Sequence, residues 1–199
     1  MMSSKDSLLF VSNNLALDFL NTQPVLEGQP KELLGSFPQL LRWYVAAGLL
    51  PAKSAMQLKR RWGRRLQAEA ARQELMVFRE RLREVVLRLE ARQSVPAEMI
   101  AELNRLLAVR AMPLQIISTQ AGFIEEFHFD PQVPADLIGP LVYAAADLLT
   151  KFDARRIRKC QNCVLHFYDT TKNATRRWCS MKLCGNRSKV ASYTARHHR

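Results

Sequence analysis

Hydrophobic residues recur along most of the chain at helical spacing. The segment from Ser54 to about Arg92 is rich in Leu, Ala, Arg, Glu and Gln, and it is predicted to be helical almost throughout. Gly63 lies inside it and marks a predicted kink or a break into two helices. In the second half, steps of three and four residues place one apolar stripe on a helix face: Leu75, Phe78, Leu82, Val85 and Leu89.

Shorter helices are predicted on both sides of this segment. Ser36 is placed to cap a helix, because its hydroxyl can bond the backbone three residues on while Gln39 reaches back. Gly48 is expected to end that helix. Pro96 opens a further helix, and another runs from about Ala135 to Phe152.

One segment departs from the helical pattern. Residues 114–118 and 123–129 are rich in branched and aromatic side chains, and they flank a turn that contains Gly122. This arrangement predicts a β-hairpin. No Gly-rich phosphate loop, nucleophile elbow or metal-binding pair of histidines accompanies these elements, so the sequence predicts a protein that is not an enzyme.

The only four cysteines of the chain lie near its C-terminus in two short pairs: Cys160, Cys163, Cys179 and Cys184. Two such pairs can wrap opposite sides of one tetrahedral Zn²⁺ ion, and four thiolates leave no open position, so the predicted zinc is structural. Two disulfides would need an exported protein, and no secretory signal is recognisable. An iron–sulfur cluster uses the same number of ligands at different spacings.

Positive charge is concentrated beside the cysteines. Residues 155–199 contain twelve Lys or Arg and one acid, Asp169, for a net charge of +11, whereas residues 1–154 have a net charge of +1. This asymmetry indicates a polyanionic partner. No apolar run approaches the roughly 18 residues of a membrane span. The protein is therefore predicted to be cytoplasmic, with nucleic acid rather than a membrane as its partner.

The final residues supply candidate contacts to nucleic acid. Asn186 is predicted to cap a last helix, whose first turn could enter the major groove, where Arg bonds guanine and Asn bonds adenine. In the alternative, Arg187 packs against the cysteine knuckle or meets only phosphate. The candidate contacts are basic or amide side chains: Arg155, Arg156, Arg158, Lys159, Lys172, Arg176, Arg177, Lys182, Asn186, Arg187 and Lys189.

Between the cysteine pairs, residues 164–168 and 176–178 are predicted to form a miniature hairpin around a polar turn. Asp169 is expected to hold an arginine across that hairpin. Phe167 and Trp178 either stack on bases or form a small core. Because about 45 residues build little apolar core, the metal should supply most of the folding free energy of this region.

These residues resemble the CGNR zinc finger family. The resemblance rests on four motifs: Cys160-x2-Cys163, Phe167-Tyr168-Asp169, Arg176-Arg177-Trp178-Cys179-Ser180-Met181 and Cys184-Gly185-Asn186-Arg187. Thr171 stands where Ser is more usual. In that family the finger follows a helical domain called ABATE, whose opening motif resembles residues 15–22. The resemblance therefore implies a stress-related bacterial transcription regulator.

The predicted fold is therefore mainly α. A helical domain with a small β-hairpin spans residues 1–153, and a small zinc finger, similar to a treble-cysteine knuckle, spans residues 154–199. Gly185 is expected in a conformation closed to other residues, just after the last ligand. With 199 residues, 48% of them hydrophobic, the chain suits one domain or two small ones.

The predicted function is zinc-dependent DNA binding in transcriptional regulation, with the helical domain sensing a small-molecule effector or mediating association as a homodimer. An RNA partner and a protein-interaction module are the alternatives. Asp18, Asn21 and Thr22 are candidate residues of an effector pocket. In the alternative interpretation, the same side chains satisfy backbone groups near a helix end.

Overall fold

A computed structural model describes residues 8–26 and 28–197, with parts of the last helix described by backbone alone. Across these residues the chain is mainly helical, as predicted, and its strands form two-stranded antiparallel hairpins. The chain divides into two compact units, each drawn from separate segments. Unit 1 combines Met1–Leu33, Arg79–Val95 and Leu148–Arg199, and unit 2 combines Leu34–Phe78 and Pro96–Asp147.

Unit 2 contains helices that the sequence predicts. Its elements are α2 (Phe37–Ala46), α3 (Ala52–Trp62), the first part of α4 (Leu66–Glu90), α5 (Ala97–Val109), strands β3 (Leu114–Thr119) and β4 (Gly122–Phe127), and most of α6 (Gly139–Thr150). Ser36 caps α2 by accepting the backbone N–H of Gln39 at 3.4 Å, and Gly48 follows the helix with a positive φ of 74°. The predicted break at Gly63 is confirmed.

Helices form the core of unit 2, and its hairpin stays exposed. Leu40, Trp43 and Leu141 are fully buried, and the Tyr44 hydroxyl donates to the carbonyl of Leu137. The hairpin is confirmed, with Ile117 opposite Ile124 in the register. Most of its apolar side chains nevertheless face solvent, namely Leu114, Ile116, Phe123, Ile124 and Phe127.

Unit 1 contains the two ends of the described chain. Its elements are α1 (Leu15–Leu20), β1 (Val25–Leu26), β2 (Gln29–Pro30), the last part of α4, β5 (Ile157–Lys159), β6 (His166–Tyr168), a π-helical turn (Met181–Gly185) and α7 (Asn186–His197). Asn14 caps α1 by accepting the N–H of Leu17. The division into domains 1–153 and 154–199 stays a prediction, because unit 1 takes residues from both sides of that boundary.

A helix that crosses a membrane must be both long and apolar. Among the described residues, no helix combines the length and the apolar character that crossing a bilayer requires.

Candidate metal centre

The four cysteine sulfurs converge on one point in unit 1. All four Sγ atoms lie within 4.8 Å of one another, and two of the separations, Cys163–Cys179 and Cys179–Cys184, are 3.6 Å. Ligands about 2.3 Å from a tetrahedral zinc ion stand roughly 3.8 Å apart, so the observed spacing fits one such ion. A disulfide needs sulfurs about 2.05 Å apart, and all four cysteines are free thiols.

Backbone and side-chain hydrogen bonds hold the two cysteine pairs together. The N–H of Cys160 donates to the carbonyl of Leu165 at 2.9 Å, which closes the first pair into a tight knuckle. The second pair ends in the π-helical turn, where Cys184 sits. Asn162 joins the halves, because its side-chain amide donates to the carbonyl of Cys184 at 2.8 Å. Local structure therefore positions each cysteine pair, and the side-chain amide of Asn162, from the first pair, connects it to the second.

The electrostatics of the four thiols favour a bound cation. A hydrogen bond from the Cys179 thiol lowers the pKa of Cys163 to about 5, which favours the thiolate form of this residue. The hydrogen bond to Cys163, followed by burial, raises the pKa of Cys179. Burial and then the same neighbour raise the pKa of Cys184 to about 12. Further thiolates thus need a divalent cation among them, and these four cysteines form a site for one structural zinc ion.

A small apolar core surrounds this site. Phe167 is fully buried and Trp178 is partly buried beside the cysteines, as the core alternative requires. The Arg176 guanidinium lies over the Phe167 ring, 4.2 Å from its centroid. Leu9 and Val11, from the start of the described chain, pack against the same cluster. The sequence pattern does not indicate this N-terminal contribution.

The predicted strand pairing in the finger is wrong. Strand β6 pairs with β5, with Ile157 opposite Tyr168, and residues 176–178 form no strand. The cysteine knuckle explains the difference, because it folds residues 164–168 directly back onto the strand before it. Asp169 reaches Arg176 as expected, but its carboxylate accepts the backbone N–H at 2.8 Å and not the guanidinium.

The final helix also begins earlier than predicted. Ser180 has an extended φ of −157° and accepts the N–H of Leu183, so it caps the π-helical turn that runs directly into α7. Asn186 has helical backbone angles and is not a cap. Gly185 is absent from the described residues with positive φ, so that prediction is wrong. Its small size matters instead, because a Cβ atom there would lie 2.7 Å from the Met181 sulfur.

The structure separates the candidate nucleic-acid contacts into two groups. Arg156 and Arg176 donate to backbone carbonyls, and Arg158 lies 3.7 Å from the Asp169 carboxylate. These three arginines therefore support the finger itself. The remaining candidates have exposed side chains, namely Arg155, Lys159, Lys172, Arg177, Lys182, Asn186, Arg187 and Lys189. Their contacts with nucleic acid stay predictions.

The candidate effector-pocket residues are all buried in unit 1 and bonded to protein groups. Asp18 accepts the backbone N–H groups of residues 11 and 12. Asn21 makes two hydrogen bonds to the backbone of His166, donating at 2.8 Å and accepting at 2.9 Å. The Thr22 hydroxyl donates to the carbonyl of Phe19. These contacts are those expected of the backbone-satisfying alternative, and the effector pocket stays a prediction.

The N-terminal segment is bonded to the finger at further points. The backbone N–H of Tyr168 donates to the carbonyl of Ser12 at 2.8 Å, and Asn13 donates to the carbonyl of Tyr168 at 3.2 Å. A guanidinium nitrogen of Arg176 donates to the carbonyl of Val11 at 2.6 Å. The sequence feature that could have indicated these contacts is the presence of two polar residues, Asp18 and Asn21, within the apolar motif at residues 15–22.

Helical architecture and a closed four-thiol site define a zinc finger protein. Comparison with known families supports this class: the ABATE model, described as "Putative stress-induced transcription regulator", matches residues 13–151, and the CGNR zinc finger model matches residues 156–197. The chain belongs to the ABATE family and carries a C-terminal CGNR zinc finger. Both are regulatory or zinc-finger families and not enzyme families. No curated protein matches the chain.

Proposed function

We propose that this chain is a zinc-dependent DNA-binding protein that regulates transcription. The observation that carries the proposal is α7, a helix that begins at the metal site and exposes most of its described side chains. Apolar groups of this helix are exposed too, since Val190 and Tyr193 are 66% and 59% accessible. A helix joined to a metal knuckle and left open to solvent suits insertion into a groove of DNA.

The polar residues of α7 match the chemistry of the major groove. That groove is about 12 Å wide and admits a helix, and Arg and Asn make bidentate contacts to guanine and adenine. Asn186, Arg187 and Lys189 are exposed in the first turn of α7. Arg187 also has one guanidinium nitrogen 3.7 Å from the Cys184 sulfur, which orients the side chain while leaving other donors available.

Zinc has a structural role in this proposal. The ion would be held by Cys160, Cys163, Cys179 and Cys184, and it would supply the cation that four converging thiolates require. Since Cys184 lies in the turn that leads into α7, holding its sulfur fixes the start of the helix against the knuckle. Lys159, Lys172 and Lys182 are exposed around the site and would contact phosphates in a salt-sensitive, sequence-independent way.

Selection of binding sites from random duplex DNA, at two salt concentrations, tests this function. We expect the zinc-loaded protein to enrich a motif, and Arg187→Ala to lose that motif while keeping salt-sensitive binding. Arg60→Ala is the matched control, because it removes an exposed arginine from unit 2. Binding without enrichment would contradict sequence-specific recognition. Preference for structured RNA at the same salt would favour the RNA alternative, and binding insensitive to the finger charges would favour a protein partner.

A second proposal concerns association through unit 2. The two strands of the β3–β4 hairpin pair only with each other among the described residues, and Ile116 and Phe123 are 74% and 79% accessible. Open strand edges with apolar side chains favour pairing with another chain. We expect sedimentation to detect a homodimer that Ile116→Lys dissociates, while a monomeric wild-type protein would contradict this assignment.

A further inference from the structure

Unit 1 contains a cavity of about 260 Å³ that lies between the end of α4, strand β5 and residues 175–177. Its lining is strongly basic and includes a single carboxylate, that of Glu90. The basic residues around it come from three separate segments, namely Arg92, Arg155, Arg158, Lys159, Arg176 and Arg177. Like charges around one small cavity repel one another, and an anion between them lowers that repulsion.

Protein groups leave much of this positive charge uncompensated. The Glu90 carboxylate lies 3.2 Å from the ring nitrogen Nε2 of His166, so its hydrogen-bonding capacity is partly used. Arg176 donates to backbone carbonyls, which carry no net charge. Arg155 and Arg158 are paired with carboxylates outside the lining, those of Asp153 and Asp169. The cavity therefore keeps a positive excess that comes mainly from Arg92, Lys159 and Arg177.

One of the lining residues, Arg158, also contains a buried donor. The Nε–H group of Arg158 is buried and has no hydrogen-bond acceptor among the described residues. Its nearest carboxylate oxygen, on Asp169, is 3.7 Å away, which is too long for a hydrogen bond. A buried donor without a partner is unfavourable, and the Asp169 carboxylate is the charged group that offsets this cost.

Arg92 reaches the cavity from the end of α4. Its φ of +57° belongs to a Schellman cap, because the N–H groups of Arg92 and Gln93 donate to the carbonyls of Leu89 and Arg88 at 3.1 and 2.8 Å. The helix end therefore fixes the backbone of Arg92 and places its side chain in the lining of the cavity.

We propose that this cavity binds a phosphate group. Arginine forks recognise phosphate bidentately, and 260 Å³ is below the roughly 300–1,000 Å³ of drug-sized ligand sites, so the cavity suits a phosphate or pyrophosphate moiety. The phosphate comes either from a nucleic-acid backbone or from a phosphorylated small molecule. Only the first source rests on the DNA-binding function proposed above.

The test measures binding of inorganic pyrophosphate to the zinc-loaded full-length protein by calorimetry, without DNA. We expect Arg92→Gly to weaken binding by about tenfold or more, because it removes one charged donor. The same change should not lower the thermal midpoint, because glycine relaxes the left-handed backbone. Ala174→Gly gives the matched control: it relaxes another left-handed backbone position, directly before the lining residue Thr175, keeps every charge and should bind pyrophosphate like the wild type.

Two further comparisons keep the proposal falsifiable. Lys159→Gln removes a second lining cation and should also weaken binding, whereas Arg60→Gln removes an exposed cation outside the lining and should not. Absence of pyrophosphate binding to the wild type, or equal weakening by Arg60→Gln and Arg92→Gly, would overturn the proposal.

Competition identifies the source of the phosphate. If pyrophosphate displaces duplex DNA from the wild type, but less effectively from Arg92→Gly, the cavity holds a backbone phosphate. If pyrophosphate binds and DNA stays bound, the cavity is a separate site for a phosphorylated small molecule. Failure of DNA binding alone would leave the pyrophosphate result intact, so the two proposals fail separately.

Discussion

The two compact units of this protein are stabilised in different ways. Unit 2 buries an apolar core of helices, in which residues such as Leu40, Trp43 and Leu141 are fully buried. Unit 1 adds buried polar groups to its core: Asn21 bonds the backbone of His166, a residue 145 positions away, and Arg79 is 2% exposed and paired with Glu32. Unit 1 also contains the four-thiol site.

Charge divides between the units in the same way. Unit 1 contains 20 Lys or Arg and 9 Asp or Glu, whereas unit 2 contains 10 and 9. Groups that could bind a metal or an anion are therefore concentrated in the unit that depends on specific polar contacts. The metal site therefore lies in the unit that is more sensitive to the loss of a single contact, because buried polar groups stabilise a fold only when every partner is in place.

Removing the metal should have the largest effect on stability, and the effect should fall on unit 1 and not on unit 2. Chelation, or Cys184→Ser, removes an interaction that contributes about 10–16 kcal/mol in structural zinc sites. We expect hydrogen-exchange protection to be lost across unit 1, including residues 8–22, while the helices α2 and α3 stay protected. Restoring zinc to the chelated protein is the control.

Two results would contradict this prediction. Equal loss of protection in both units would break the comparison between them. Zinc content unchanged in both Cys179→Ser and Cys184→Ser would show that these cysteines do not hold the metal.

Asn21→Ala should have the next largest effect. The change leaves the backbone N–H and carbonyl of His166 without their partners, at a cost of about 3 kcal/mol. Chemical denaturation measures this loss, and Ser36→Ala in unit 2, which removes only a helix cap, should cost about 1 kcal/mol. An Asn21→Ala protein as stable as the wild type would favour the effector-pocket interpretation of this residue.

Alanine substitution of one glycine in each unit gives a further comparison of their stability. Alanine at Gly63 would place its Cβ 2.4 Å from the backbone oxygen of Lys59, which cannot easily move, so Gly63→Ala should cost about 1–3 kcal/mol. At Gly185 the obstacle is the flexible end of Met181, so Gly185→Ala should cost less than about 1 kcal/mol. The prediction is contradicted if Gly185→Ala lowers the denaturant midpoint more than Gly63→Ala does.

The smallest predicted effect is a pH dependence confined to unit 1. Burial lowers the pKa of His166, although Glu90 opposes the shift. The unfolded chain therefore binds a proton below about pH 6.5 that the folded chain resists, so stability should fall as the pH drops from about 6.5 toward 5. His166→Gln should reduce this loss of thermal midpoint in zinc-saturated protein, whereas replacing the exposed His128 by Gln should leave it unchanged.

Local sequence patterns were sufficient for much of this fold. The periodicity around Leu75 and Leu82 predicted α4, Ser36 and Gly48 predicted the ends of α2, and the cysteine spacing predicted a four-thiol metal site. Each of these features depends on residues that are close in sequence, or on ligand chemistry that tolerates a variable loop. The break at Gly63 belongs to the same class.

Only the tertiary structure decided the remaining features. The pairing of β5 with β6 and the π-helical turn that Ser180 caps before α7 depend on how the knuckle folds back, which residue spacing does not specify. The bonds from Asn21 to His166 and the approach of Arg92 to the basic cavity join distant segments. Such contacts are selected by the packing of the whole unit, because many alternative partners have the same local chemistry and few arrangements satisfy most of the buried polar groups together.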